Sequence, residues 1–334
     1  MRSGKIISIL LLGLIFSLCA CYRGDISPAP APAKGQTWGE RLGFPKDKRV
    51  LILHADDLGM CVEANEAGQR YLADDRIQSG AIMMPCPASQ AMADWYRDHP
   101  TEDIGVHLTI NSEWETYRWG PVTDTAQVPG LIDPEGFMWR DWRVIQHATP
   151  GEVEREIRAQ IEKALALGIK PSHIDTHMGT LYMNPKYAEV YLGIAMEYGL
   201  PAMVIEFSQP ILDRFRAMGF IIADGIVKMT AQYTLPKLDD YHPIPDGDSY
   251  EDKNQKFYEL VQSLEPGITE IIFHPSVESD SLKSITDTWQ QRVWEAQLFF
   301  DDDVTEFLEK EGILFTNWKD MMLRFRQSSP RSPS

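Results

Sequence analysis

Cysteine is scarce in this sequence. Four occur in 334 residues, and two of them, Cys19 and Cys21, lie in an apolar N-terminal segment. A scaffold stapled by several disulfides is excluded. The body keeps only Cys61 and Cys86, which export would allow to pair but which read better as two separate buried thiols. No residue close to Cys61 in the sequence offers it a catalytic partner. Positive charge is also short: 32 Lys and Arg against 49 Asp and Glu give a net charge of -17. Phosphate backbones need a basic surface, so a nucleic-acid partner is excluded, as is a polybasic grip on anionic lipid. No Gly-x-Gly-x-x-Gly and no Gly-Lys-Ser/Thr loop occurs, which removes the usual phosphate cradles of nucleotide-binding sheets. There is no internal repeat.

What is present begins at the N-terminus. Arg2 and Lys5 precede "IISILLLGLIFSL", and Leu18-Cys19-Ala20-Cys21 follows. A charged start, a short apolar core and a small residue before the cut make a signal peptide over residues 1–21, and Leu18-Cys19-Ala20-Cys21 resembles a bacterial lipoprotein signal. Cys21 is the expected lipidated residue, with ordinary secretion as the alternative. Residues 22–46, with "SPAPAPAKG", read as an extended tether. The expected location is the bacterial cell envelope, with membrane contact only through the anchor at Cys21. Residues 47–325 are the expected domain and 326–334 a disordered tail. With 43% hydrophobic and 10% aromatic residues, the chain can build a sizeable core.

Along the body, short apolar runs alternate with amphipathic ones. "RVLILHA", "SGAIMMP", "DIGVHLTI", "SHIDTH", "PAMVIEF", "FIIADGIVK", "ITEIIFH" and "ILFTNW" read as strands, with helix-like stretches between most of them. The helix from Pro150 is signposted. Thr149 and Glu152 make a capping box, Pro150 suits the first turn and Gly168 closes it. Val153, Ile157, Ile161, Ala164 and Leu165 share one face. Such alternation implies parallel βαβ units. An open doubly wound sheet and a closed barrel both fit. The missing phosphate loops favour an α/β fold of the distorted (β/α) barrel type, TIM-barrel-like, with seven or eight parallel strands. Two insertions interrupt it: 111–148, with Trp114, Tyr117, Trp119, Trp139 and Trp142, and 229–249, with Tyr233, Tyr241 and His242.

In such a barrel the site lies at the C-terminal strand ends. Asp56 and Asp57 end the first strand, His107 lies near the end of the third, His177 ends the fourth and His274 the seventh. Adjacent carboxylates repel unless something cationic holds them. The plain alternative is a solvated Asp–Gly turn. A bend or bulge at the strand end would let both acids reach a cleft. Asp57, His107 and His177 would then form a His/His/Asp set with open positions, the catalytic kind of metal site. Asp56 beside the cation becomes the base toward water. Imidazole ligands favour Zn²⁺ among divalent cations, with Mg²⁺ or another divalent ion open. In "HIDTH", His173, Asp175 and His177 share a strand face. His173, the deepest, is expected in a hydrogen-bonded core network, and Asp175 is expected to orient a histidine ring. His54 shares the face of Asp56 and reads as a satisfied histidine rather than a fourth ligand.

Four motifs in order, "HADDLG", "GVHLTI", "SHIDTH" and "TEIIFHP", together resemble the YdjC-like (ChbG/HpnK) carbohydrate deacetylase family over roughly residues 48–320. Asn65 and the pair Arg292 and Glu295 fit it as well. The resemblance implies a distorted barrel, a divalent metal and hydrolysis of an N-acetyl group from an amino sugar or oligosaccharide. Carried over, Asp57, His107 and His177 match the metal ligands, and Asp56 matches the base. His274 matches the acid that protonates the leaving amine, and Arg292 a residue that positions Asp56 or another carboxylate. The sequence departs from many relatives after "IDTH", where Met178-Gly179-Thr180-Leu181 stand in place of further histidines. The Trp-rich insertion is also long. Trp114, Trp119 and Trp139 are candidates for the apolar faces of sugars, and a lid with its own small core is the alternative. Competing readings are a lipid-tethered glycan-binding protein on the same barrel, a glycosidase with paired carboxylates, and an oxygenase holding iron in the His/His/Asp set. The expected partner is an N-acetylated glycan; the sequence does not set an oligomeric state.

Overall fold

Parallel strands covered on both faces need continuous apolar runs, and "VLILHA" supplies one. It forms the core of β1 (Arg49–Leu58), buried from Val50 onward. The computed structural model describes residues 35–219 and 222–328. The expected signal, Cys21, most of the tether and residues 329–334 lie outside the described residues.

A short helix, α1 (Trp38–Arg41), precedes β1. Then come α2 (Val62–Ala73), β2 (Ser79–Ile82), α3 (Ser89–Asp98), β3 (Ile104–Leu108), α4 (Pro150–Ala166), β4 (Ile174–Thr176), α5 (Pro185–Tyr198), α6 (Gln209–Ala217) and α7 (Asp224–Gln232). The chain continues through β5 (Asp240–Pro243), α8 (Tyr250–Ser263), β6 (Gly267–Phe273), α9 (Asp280–Ile285), α10 (Trp289–Leu298), α11 (Asp302–Lys310), β7 (Leu314–Phe315) and α12 (Trp318–Ser328). The α4 capping box of Thr149 and Glu152 is present, and Val153, Ile157, Ile161 and Ala164 are its buried apolar face.

The sheet runs β4-β3-β2-β1-β6-β5, with β7 also on β1. Every pairing is parallel. β6 follows β1 from Arg49 to Ala55, and the other edge of β1 is divided between β7 at Val50 and Leu51 and β2 from His54 onward. Among the described residues the architecture is a curved half-barrel of parallel strands wrapped by helices. The expected seven or eight full strands are met in part. "PAMVIEF" makes only single bridges, Ile174 to Ala202 and Ile205 to Leu238. The described part of "FIIADGIVK" enters α7 at Asp224, where Ile226 and Thr230, four residues apart, bury on one helical face. β5 lies inside the stretch expected to be an insertion.

Two boundaries also move. The tether does not reach residue 46: Thr37 and Glu40 cap α1, Trp38 is buried, and the amides of Trp38 and Gly39 donate to Asp239 at 2.7 and 3.0 Å. At the C-terminus, residues 326–328, expected in the tail, belong to α12, which continues to Ser328. Among the described residues, no helix is long and apolar enough to cross a membrane.

Candidate active site

A regular strand would send Asp56 and Asp57 to opposite faces. Here the register of β1 against β2 shifts between Ala55 and Leu58, and Asp57 takes a left-handed conformation with φ 62. Asn65 on α2 secures the turn: its Oδ1 accepts the Gly59 amide at 2.6 Å and its Nδ2 donates to the Ala88 carbonyl at 3.0 Å. The bulge brings both carboxylates into one cleft.

Three strand ends meet there. Nδ1 of His177 lies 3.2 Å from Nε2 of His107 and 3.3 Å from Oδ1 of Asp57, and the third edge, His107 to Asp57, is 3.6 Å. Zinc held tetrahedrally at about 2.0–2.2 Å requires ligand atoms roughly 3.3–3.6 Å apart, so the separations fit. Asp57 Oδ1 is buried and accepts no hydrogen bond among the described residues. The remaining polar atom of each member is held. Asp175 Oδ1 lies 2.9 Å from His107 Nδ1, Glu113 Oε2 lies 2.9 Å from His177 Nε2, and Arg292 Nη2 donates to Asp57 Oδ2 at 2.9 Å. A ring that donates one N–H to a carboxylate keeps its other nitrogen as a lone pair, the form a cation needs. Two further groupings, His54 with His173 and Asp175, and Asp56 with His107 and Asp175, are also compact. They share atoms with the first network and lack its separate support for each member.

The surrounding charges follow from burial and pairing. Burial opposes the Asp57 carboxylate, yet Arg292, His177 and His274 hold it well below the usual carboxylate range. Burial likewise opposes a charged His177, but Glu113 and Asp57 raise it to about 10. Asp175 is buried, and His107 and His54 hold it well below its ordinary value. His54 lies between three acids: Nε2 is 3.2 Å from Asp56 and 3.3 Å from Asp175, and Nδ1 is 3.3 Å from Glu270. None of these contacts has hydrogen-bond alignment. Against burial, Glu270, Asp175 and Asp56 raise the His54 pKa well above the ordinary value. Burial pushes Glu270 up to about 7, with His54 acting in the other direction. Tyr241, paired with Glu270 across β5 and β6, is pushed well up by burial and by Asp56 and Glu270.

The other sequence-expected residues fall as follows. His274 is a third exposed, with Nε2 3.9 Å from Asp56 Oδ2. Its amide donates to Glu295, which the buried Lys253 holds at 2.9 Å. Arg292 pairs with Asp57 rather than Asp56. His173 sits in the core, 2.8 Å from Ser172 Oγ and 3.6 Å from Asp103, stacked on Trp318. Trp119 is buried and Trp114 packs on it edge to face. With Met60, Met83 and Met138 they belong to a small apolar cluster, and Arg292 lies over the Trp114 ring. Trp139 instead stacks on His147 and donates to the Gly130 carbonyl, so its ring is engaged inside the insertion. Cys61 and Cys86 are free and buried; burial pushes the Cys61 thiol up to about 12. Glu113, Glu270 and Tyr241 were not expected.

Fold and cleft together define a class: an α/β protein with a buried His/His/Asp constellation at the C-terminal ends of parallel strands. The YdjC-like protein family model matches residues 50–310, and the chain belongs to that family. A carbohydrate deacetylase of Thermus thermophilus is 30% identical over 260 residues, covering 76% of this chain and 86% of that protein. One of Thermoanaerobacter pseudethanolicus is 24% identical over 273 residues, covering 81% and 98%. The crystal structure of a putative cellobiose-phosphate cleavage protein from Enterococcus faecalis shares the fold, with TM-score 0.67 and 24% identity over 83% of this chain and all of that one.

Proposed function

We propose that the protein is a metal-dependent hydrolase that removes the N-acetyl group from an N-acetylated amino sugar or oligosaccharide, exported to the cell envelope and held there through Cys21. One observation carries the chemistry: an orphaned buried oxygen of Asp57 beside two imidazole nitrogens whose partner nitrogens are bound to carboxylates. Relatives named as carbohydrate deacetylases support the sugar. The bridges through residues 202–205 support reading the sheet as a barrel whose strand ends open on the site.

Asp57, His107 and His177 would hold the ion. Two imidazoles and a carboxylate suit Zn²⁺, and Mg²⁺ or another divalent ion stays within the reading. Bound there, a divalent ion supplies Lewis acidity toward the amide carbonyl and makes water more acidic. The chain's own groups do the rest. Asp56 accepts a proton from the attacking water, whose oxygen bonds to the acyl carbon. The C–N bond breaks, and His274 gives a proton to the departing nitrogen. Acetate and a free amine leave. At 3.9 Å from each other, base and acid can serve the two ends of one reacting amide. Arg292 fixes Asp57, Asp175 and Glu113 orient the two rings, and His54 sits against Asp56. Trp114, packed on the buried Trp119, is the candidate for the sugar side.

The test is Asp56→Asn. Acetate release from N-acetylated oligosaccharides should fall by about 10²–10⁴-fold, the usual worth of a general base, while bound metal stays at the wild-type level. Wild-type turnover in that variant would refute the role of Asp56.

A further inference from the structure

Beside the constellation lies an apolar groove of about 380 Å³, within the range of small-ligand sites. Its wall includes Met178, Met183, Met203, Met218, Phe207 and Phe215. Met178, Met183 and Met218 are 55%, 43% and 52% exposed, so apolar surface is left facing an open space. No charged side chain lines the groove among the described residues. The Thr176 hydroxyl accepts the Leu181 amide, and the Tyr182 hydroxyl donates to the Met203 carbonyl. A sugar entering here would bury hydroxyls with few partners, which is costly. A hydrocarbon would bury nothing polar, and methionine side chains adapt to its shape.

The groove adjoins the constellation at His177, although none of Asp56, Asp57, His107, His177 or His274 is itself part of its wall. Thr176 and Met178, which flank His177, and Tyr241, the partner of Glu270 across the sheet, are all part of its wall. Neither His274, on the leaving-amine side, nor Trp114 or Trp119 of the insertion lines it. The groove thus meets the site beside His177, a candidate ligand of the ion that would polarise the acyl carbonyl, and away from His274, which sets it toward the acyl end under the hydrolase reading.

We propose that this groove receives the acyl chain of longer substrate amides, so that besides N-acetyl groups the protein hydrolyses N-acyl amino sugars whose acyl group is a medium-length hydrocarbon. The inference rests on the hydrolase reading above and names its substrate class. At about 30 Å³ per methylene-sized group, taken from the volume share of a water, the space holds on the order of ten carbons. The reaction balances as before: water oxygen joins the acyl carbon, the C–N bond breaks, and a carboxylic acid and an amine result.

The experiment compares N-acetyl-, N-butyryl-, N-hexanoyl- and N-octanoylglucosamine, with the octyl glycoside of N-acetylglucosamine as control, on the metal-loaded full chain. Each methylene taken out of water is worth about fourfold, so with partial burial kcat/KM should rise at least about tenfold from acetyl to hexanoyl. Met183→Glu and Met218→Glu, both at exposed positions, should collapse the hexanoyl-to-acetyl ratio toward one. Calorimetry on chelator-treated protein should show N-octanoylglucosamine binding and N-acetylglucosamine binding at least tenfold more weakly. A flat chain-length series with acetate still released overturns the groove proposal alone. A gain confined to the octyl glycoside overturns it too, because the hydrocarbon would then lie on the sugar side. If no amide is cleaved, the hydrolase reading fails, and calorimetry still decides the groove: equal binding of the two amides overturns it.

Discussion

Glu113 offers a sharp test, because its role can be separated from the chemistry. Its carboxylate lies 2.9 Å from His177 Nε2, while Nδ1 of the same ring faces the other two candidate ligands. Removing such an orienting carboxylate typically weakens metal binding by about 10–100-fold, or roughly 1.4–2.7 kcal/mol. The Glu113 side chain keeps 19% of its surface exposed, so water can take over as acceptor. Glu113→Ala should therefore fall in the lower half of that range, about 10–30-fold. Glu113→Gln keeps an oxygen acceptor without the charge and should cost about 3–10-fold. Affinity is read by competition against a chromogenic chelator, and turnover at saturating ion. With the site filled, kcat should return to within about threefold of wild type, since Glu113 does not touch the reacting atoms. Wild-type affinity in Glu113→Ala would refute the argument that this pair presents a metal ligand. A collapse of kcat at full occupancy would move Glu113 into contact with substrate.

Other outcomes follow from packing and titration. A Cβ on Gly105 would lie 2.4–2.7 Å from the His173 ring, which Trp318 and His54 pin on its other sides; Gly105→Ala should cost about 1–3 kcal/mol by denaturant unfolding. Asp103 accepts from Ser79, Ser172 and the Lys319 amide. Burial opposes its charge, but His173, Ser79 and that amide hold its pKa below the ordinary value. A depressed folded pKa means stability that is present above the unfolded value of about 3.9 and lost as pH falls through the folded one. Asp103→Asn should therefore cost roughly 2–3 kcal/mol at neutral pH and flatten the acid limb of the stability curve; an unchanged acid limb would argue against it. Cys61 and Cys86 should resist iodoacetamide at pH 8 until the protein unfolds, as peptide mapping would show; labelling of the native protein at either residue would contradict their burial.

Much of the cleft was readable because strand periodicity is rigid. The alternation in "HIDTH" puts Asp175 and His177 on one face, and in the structure both lie against His107. The double Asp at the end of an apolar run could share one cleft only through a bend or bulge, and a register shift is there. Glu113 was not readable, because it lies at the start of an insertion with no period to orient it. Glu270 did carry a signal: a carboxylate in the middle of "ITEIIF" cannot be left buried without a partner, and its partners are His54 and Trp318. β5 was hidden for the opposite reason. Asp240 and His242 make it polar because both meet Arg214, so its side-chain pattern does not resemble a buried strand. The misread run "FIIADGIVK" is short and apolar, and at that length strand and helix periods are hard to tell apart.

Ion content measured together with acetate release tests the core of the account most directly. The wild-type chain should bind one divalent ion, with two imidazole nitrogens and a carboxylate oxygen at about 2.0–2.2 Å by X-ray absorption if the ion is zinc. Chelation should stop acetate release and re-addition should restore it, and His107→Ala together with His177→Ala should abolish both ion and turnover. Undiminished acetate release from chelated, ion-free protein, or an ion still bound after both histidines are replaced, would contradict it.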